Sequence, residues 1–562
     1  MIVSLLALIS KYAIFYIFSY STGKSVIKIY EFVRKQKIPK EILYTNVKII
    51  YPILGLFAVG NLLVVFNFFY PLENIYIYLI LLVFNIPAIL DLNMKLKIDL
   101  ITLVKYLAIP TILVISTFDT SFNYDAGYYH IYHQAWLRES NLILGFVNIF
   151  WPLGMSSIYE YLSAILWFDT SFVLLHFLNL IFIHFFYNFI FENIVNNVHS
   201  DLKVASVFLL IYSFLDNFGI GGGRNGFIYI QGVGKQDIAV GILFFFISIV
   251  LIKAIKDKNF SSVDIFFASL LILFLYEIKL SSVIIALVYI WYLASAFKNS
   301  KYDFKYILFP NIFAISLFLI WTLKSFLTTS CLIFPVTVTC FENMNWYVIG
   351  STESYEGITK FASYSYNFSI PFMDWVKETG SFEYRSQVFL NFIFSFLALC
   401  FIKIIFFRNK KFDKTNINLL FISSSFVLFN IIYLLFYGPI PRYTVGVCLL
   451  AISLIGFFSK DTFQKIPILI TATLVVASLS LVVRSSSYIS LLNNEEFRIF
   501  DPRTNNEINN EIGFEPFENG WVLSRDRDQC WSNTRCLNAE VELEIIQGKI
   551  FKTAYKMNEN NE

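Results

Sequence analysis

The sequence predicts an all-α polytopic membrane protein of about 14 transmembrane helices (range 11–14), with interfacial helices in the longer loops and a small soluble C-terminal α/β cap. Three observations predict it. The 562 residues are 57% hydrophobic, with a mean hydropathy of +0.64. Only 15% are charged, against roughly 25% in ordinary soluble domains. Apolar runs of about 17 residues or more recur along the chain, long enough for a helix to cross a bilayer. The net charge of +3 comes without a basic tract or basic–aromatic interleaving, which excludes nucleic acid as a partner.

In chain order the expected spans are 2–19, 48–69, 74–91, 99–117, 170–192, 203–218, 237–254, 263–276, 280–297, 306–326, 387–407, 417–437, 443–458 and 466–484. The first is read as a span and not a signal peptide. It has no basic n-region and no A-x-A-like cleavage site, and Lys11 interrupts it. The short segment 263–276 is expected to fold back as a tight hairpin with 280–297. Basic residues gather after spans one, seven, nine and eleven, for example Lys24, Lys28, Arg34, Lys253, Lys256, Lys298 and Arg408. Counted alternately, these loops share one side, which the positive-inside rule makes cytoplasmic. The other side receives 118–169, 219–236, the 276–280 tip, 327–386, 438–442 and the tail 485–562. This divides the chain into a transmembrane domain, 1–484, and a small extracytoplasmic region, 485–562. No repeat of 20–50 residues is visible.

Cys400 and Cys448 fall in spans. Cys530 and Cys536, in CWSNTRC, form a close pair on the expected outer side, where disulfides persist. Cys331 and Cys340 are a second close pair, whose bonding the sequence leaves open. Near the end, VELEIIQGKIFKTAY suggests a β-hairpin pivoting at Gln547-Gly548.

The stretch FDTSFNYDAGYYHIYHQAW (118–136) places Asp119 and Asp125 at the outer end of span four. A helix is expected to start near Asp125, which has the chemistry of an N-cap. On it His130, His133, Gln134 and Leu137 share a face. NLILGFVNIFWPLGM follows. It is apolar but broken by Gly145, Pro152 and Gly154, which suits a segment lying in the interface. Two readings stay open: a carboxylate held for chemistry at the water–lipid boundary, or a cap beside an aromatic belt. His130-x-x-His133 with Asp125 has spacing that could join a metal site, or the histidines serve packing and hydrogen bonding. No cofactor is demanded, and a divalent metal is left open.

Cations supply the remaining candidates. GGGRNGFIYIQGVGKQD (221–237) carries Arg224, Lys235 and Asp237 in glycine-rich backbone able to turn amides toward an anion. It lacks the G-x-x-x-x-G-K-[ST] pattern of a P-loop, and a flexible turn is the plainer reading. YEIKLSS (276–282) puts Glu277 and Lys279 at a helix–helix tip, and GPIPRYTVG (438–446) presents Arg442 from a two-proline turn. Cations at one membrane depth are what a lipid phosphate or pyrophosphate requires.

The block YDAGYYH (124–130), after N-terminal spans and before an interfacial segment, resembles the GT-C superfamily of membrane glycosyltransferases. LIFPVTVTCFENMNW (332–346), GPIPRY (438–443) and CWSNTRC (530–536) look like blocks of bacterial membrane proteins with GT-C-like architecture. The likeness is spread from residue 118 onward. The aspartate here follows the fourth expected span, whereas the superfamily usually has it after the first. The resemblance implies an inverting transfer of a sugar from a polyprenyl-phosphate-linked donor to a glycan or lipid acceptor. It also implies a bacterial inner membrane, with the site facing the periplasm or exterior. Asp125 would be the general base, and Asp119 and Asp237 compete as the second acidic residue. Lys279, Arg442, Arg224 and Lys235 would hold the donor phosphate, and Tyr128, Tyr129, His130 and His133 would line the acceptor pocket. The alternatives are an O-antigen polymerase- or ligase-type enzyme using outer-face arginines, and a transporter of polyprenyl-linked glycan. A transporter should show internal repeats and ionisable residues at mid-bilayer.

Overall fold

The computed structural model describes residues 2–91, 99–116, 122, 124–167, 172–196, 198–216, 232, 234–298, 304–366, 370–380, 383–406, 414–459, 466–475, 478, 482, 512–525, 528–538, 540 and 542–556. Helices dominate. The N-terminal part runs α1 (Ile2–Arg34), a two-residue hairpin β1 (Glu41–Ile42) and β2 (Thr45–Asn46), α2 (Val47–Asn67), α3 (Ile75–Leu90), α4 (Leu100–Leu103) and α5 (Ile109–Ser116). A π-turn, Val104–Ala108, joins α4 to α5. Next come α6 (Ile131–Glu139), β3 (Ile143–Leu144), α7 (Ile158–Ala164), α8 (Phe177–Val195) and α9 (Ser200–Leu215). The central helices are α10 (Asp237–Asp257), α11 (Ser262–Ile278), α12 (Ile285–Lys298) and α13 (Phe304–Thr329). Two amphipathic helices, α14 (Ser351–Ala362) and α15 (Phe372–Gly380), precede α16 (Glu383–Phe406), α17 (Lys414–Tyr437) and α18 (Val445–Phe457). The tail holds β4 (Phe514–Pro516), β5 (Val522–Ser524), β6 (Cys536–Leu537), β7 (Leu543–Gln547) and β8 (Lys552–Lys556).

Among the described residues seven helical segments are long and apolar enough to cross a membrane: Val47–Asn67, Leu174–Val195, Asp237–Asp257, Leu280–Lys298, Phe304–Thr329, Val388–Phe406 and Ile417–Leu434. Four more, Ile75–Leu90, Leu100–Val114, Pro441–Phe457 and Ile466–Val475, are apolar but shorter. The structure thus establishes a multi-helix, membrane-compatible chain without establishing the expected count of about 14 spans. Burial divides the seven into two shells. The Val47, Leu174 and Asp237 segments are 78–89% buried in the protein, whereas the Phe304 and Val388 segments are only 17% buried. The outer helices turn Phe309, Phe394 and Phe421 outward, an apolar surface that water does not tolerate at this extent.

Three sequence expectations change. The first helix does not end near residue 19 but continues to Arg34. Lys24 and Lys28 lie on that helix and bond Asp91 at 3.2 and 3.3 Å, so ion pairing carries a stretch that hydropathy alone would end. The segments 263–276 and 280–297 fold back on each other, with the Tyr289 hydroxyl 3.4 Å from Ile265 O, but not as a tight pair. α11 packs on α13 while α12 packs on α10. The apolar shelf 141–155 is built of β3 and short 3₁₀ turns, and much of it is buried under the tail. Its strand β3 pairs in parallel with β8, which pairs antiparallel with β7. The β7–β8 hairpin closes at Gln547↔Lys552, one residue pair from the Gln547-Gly548 pivot read in the sequence. Disulfides join Cys331 to Cys340 and Cys530 to Cys536.

Candidate functional site: a charge cluster at one end of the bundle

Asp125 stands directly before a π-turn, Ala126–His130, that runs into α6. The expectation that it caps this helix is not met. Its backbone is already helical, its side chain makes no capping bond, and its carboxylate is instead ion-paired with Lys235. Lys235 comes from the end of the glycine-rich segment. Its carbonyl accepts from Asn179 Nδ2 at 2.6 Å, and Asn179 in turn accepts from the Tyr159 hydroxyl at 3.1 Å. α7 and α8 thereby fix the strand of chain that carries the ammonium.

Two residues later Asp237 opens α10, where the partial positive charge of a helix N-terminus favours a carboxylate. It binds Lys279, from the link between α11 and α12, and Arg442 Nε at 3.0 Å. Tyr443 lies beneath both cations: Lys279 Nζ is 3.9 Å and Arg442 Cζ 5.4 Å from its ring centroid. Segments more than 300 residues apart in sequence therefore bring Asp125, Lys235, Asp237, Lys279 and Arg442 into one cluster. Among the described residues these three cations face the two carboxylates of Asp125 and Asp237. Burial raises the Asp125 carboxyl, but Lys235, followed by His130 and Arg442, outweighs it and leaves it below the ordinary aspartate value. It is ionised at neutral pH.

The histidines part company. His130 is buried and hydrogen-bonds Glu160 through Nδ1, and Gln134, one turn on, donates to the other Glu160 oxygen at 2.8 Å. Trp167 Nε1 closes the chain onto Gln134 Oε1 at 2.8 Å. Gly234 is required beside it. Its φ is +87°, and a Cβ there would sit 2.1 Å from the His130 ring. His133 is buried against Phe146, and burial pushes its pKa well below the usual value. The idea that Asp125, His130 and His133 share a metal is therefore not supported by the geometry. Among the described residues no three His, Cys, Asp or Glu side chains are grouped to hold a cation. Tyr128 and Tyr129 flank the cluster. Burial, reinforced by Asp125 and Glu160, holds the Tyr129 hydroxyl well above its usual pKa and keeps it a donor. Asp119 and Arg224 lie outside the described residues.

Glu160 and Tyr443 were not singled out from the sequence. Ser157-x-x-Glu160 has the form of a capping box, which assigns Glu160 to its own helix start. The available signal was a lone carboxylate inside the apolar run 158–168, since a buried Glu needs a partner.

Fold and site together define a class: a multi-helix chain with spans fit for a bilayer and a cluster of ion-paired acidic and basic side chains at one bundle end. The chain belongs to a family described as a domain of unknown function, DUF8201, whose profile matches residues 1–449. All five cluster residues lie inside that match and the tail strands lie beyond it. No curated protein and no solved structure matches the chain.

Proposed function

We propose that the protein is a GT-C-type membrane glycosyltransferase that moves a sugar from a polyprenyl-phosphate-linked donor to a glycan or lipid acceptor on the extracytoplasmic face. The observation that carries the reading is the convergence of Asp125 with Lys235, Lys279 and Arg442 at the end of an apolar bundle. Lys279 and Arg442 would bind the donor phosphate, with Asp237 holding both in place. Phosphate entry would draw Lys235 away from Asp125. The freed carboxylate would take the proton of the acceptor hydroxyl as its oxygen attacks the anomeric carbon. The bond from that carbon to the phosphate oxygen breaks, and its electron pair leaves on the phosphate, where the cations stabilise it. One displacement inverts the anomeric centre.

A second reading has one observation of its own. Asp125 is already neutralised by Lys235, which suits a polymerase- or ligase-type enzyme that relies on cations and needs no aspartate base. Mass spectrometry of polyprenyl-linked intermediates and surface glycans in cells lacking the protein tests both. A lipid-linked sugar is expected to accumulate. An unchanged profile would remove glycan transfer of either kind.

A further inference from the structure

The π-turn that follows Asp125 is an awkward place for backbone. Its N–H groups reach five residues back, as Ile131 N does to Ala126 O, and carbonyls around a wide turn need other partners. Those partners come from the tail. Trp531 N donates to Gly127 O at 3.0 Å, Asn538 Nδ2 to Tyr128 O at 3.3 Å, and Gln529 Nε2 to Tyr124 O at 3.3 Å. Further along the same helix the Tyr132 hydroxyl donates to Cys536 O at 2.5 Å, and Thr534 Oγ1 to Glu139 at 2.6 Å. The Trp531 ring packs edge-on against Phe122 at 5.4 Å. It lies so close to the turn that a Cβ on Gly127 would stand 2.3 Å from its indole and 2.2 Å from Gln529 Oε1. Trp531 and Thr534 sit in the loop closed by the buried disulfide Cys530–Cys536, and Gln529 and Asn538 flank it.

We infer that this disulfide-closed loop is a positioning element for Asp125: it clamps the π-turn so that the carboxylate meets Lys235 and the neighbouring His130 meets Glu160. Trp531 acts through the backbone of Gly127, to which its N–H donates. The loop is thus the means by which the tail, outside the family match, takes part in the site. Its consequence for transfer rests on the function proposed above, while the clamp itself is a mechanical property that can be measured separately.

The test uses the full-length protein in lipid nanodiscs, with hydrogen–deuterium exchange over 126–139 as the first readout. Trp531→Ala is expected to raise exchange there about tenfold while leaving α10 unchanged, as a local opening does. Trp531→Phe, which keeps a ring over Gly127, restores protection. Gly127→Ala, which wedges the loop off from the other side, reproduces the opening, as does the double variant Cys530→Ser/Cys536→Ser. The second readout is the lipid-linked sugar in cells, which accumulates with Trp531→Ala and not with Trp531→Phe. Unchanged exchange in both Trp531→Ala and Gly127→Ala overturns the clamp. A loosened turn with wild-type glycans overturns the loop's role in positioning Asp125, provided Asp125→Asn abolishes those glycans. If Asp125→Asn also leaves glycans untouched while exchange rises as expected, the clamp stands and glycosyl transfer falls.

Discussion

Asp125→Asn is expected to lose about 10²–10⁴-fold in transfer rate, the usual worth of a general base, while the protein still accumulates in the membrane. The asparagine keeps the shape of the side chain and removes its charge. Asp125 and Lys235 are both partly open to solvent, so the ammonium can rehydrate and the fold survives. Arg442→Met should instead weaken donor binding and leave the proton transfer intact. The pH profile at low donor concentration, which reports the enzyme while Lys235 still pairs with Asp125, separates base from bystander. Lys235, against the opposing effect of burial, sets the Asp125 pKa below the usual ~3.9. A depressed carboxyl stays charged until the pH falls through the lowered value. Both the base and the stability it lends by pairing are therefore present across neutral and mildly acidic pH, and are lost only below the ordinary aspartate range. The measurement is lipid-linked sugar and glycan product at matched protein level, with the rate followed in membranes from pH 8 downward. Wild-type product from Asp125→Asn would hand the reaction to the ligase-type reading, and an acid limb above about pH 5 would point to another base.

What was legible in the sequence is whatever depends on local composition. α2, α3, α10, α13, α16 and α17 were all marked by their apolar runs, and their observed ends fall within a few residues of the expected ones. The β7–β8 hairpin was legible for the same reason, since a strand pattern broken by Gln547-Gly548 is a local signal. The site was half legible. Asp125, Lys235, Asp237, Lys279 and Arg442 were each noticed, because charges are conspicuous in a chain this apolar. Who pairs with whom was not. Asp237 was weighed as a partner for Asp125, yet it serves Lys279 and Arg442, and that choice is made by the crossing of α10, α11 and α18 in space. The same holds for Glu160, whose capping-box spacing gave a sufficient local account. It holds too for the tail, whose β8 pairs in parallel with β3, just beyond the Asp125 helix, across some 400 residues of chain. Such pairings have no signature in either partner alone.

Asp237→Asn is expected to act on stability first, and by more than any other single change in the cluster. The carboxylate is 3% exposed and is the anion between Lys279 and Arg442. Removing one partner of a buried ion pair leaves an uncompensated charge and costs ~3–5 kcal/mol. Here Lys279 and Arg442 are 29% and 32% exposed and can swing toward water, so a loss of about 2–4 kcal/mol is the expectation. Losing a favourable charge at the start of α10 adds a few tenths of a kcal/mol to that. Lys279→Met should cost less, because Arg442 still answers Asp237. The double variant Asp237→Asn/Lys279→Met should then be more stable than Asp237→Asn alone, since one of the two stranded cations is gone. Thermal unfolding midpoints of the four purified proteins in one detergent measure this. Strict additivity of the two changes would mean that the side chains do not communicate, and the charge cluster could not then be one anion site. The expected non-additivity ties fold to chemistry: the two cations held by Asp237 are those that a donor phosphate would share in the proposed reaction.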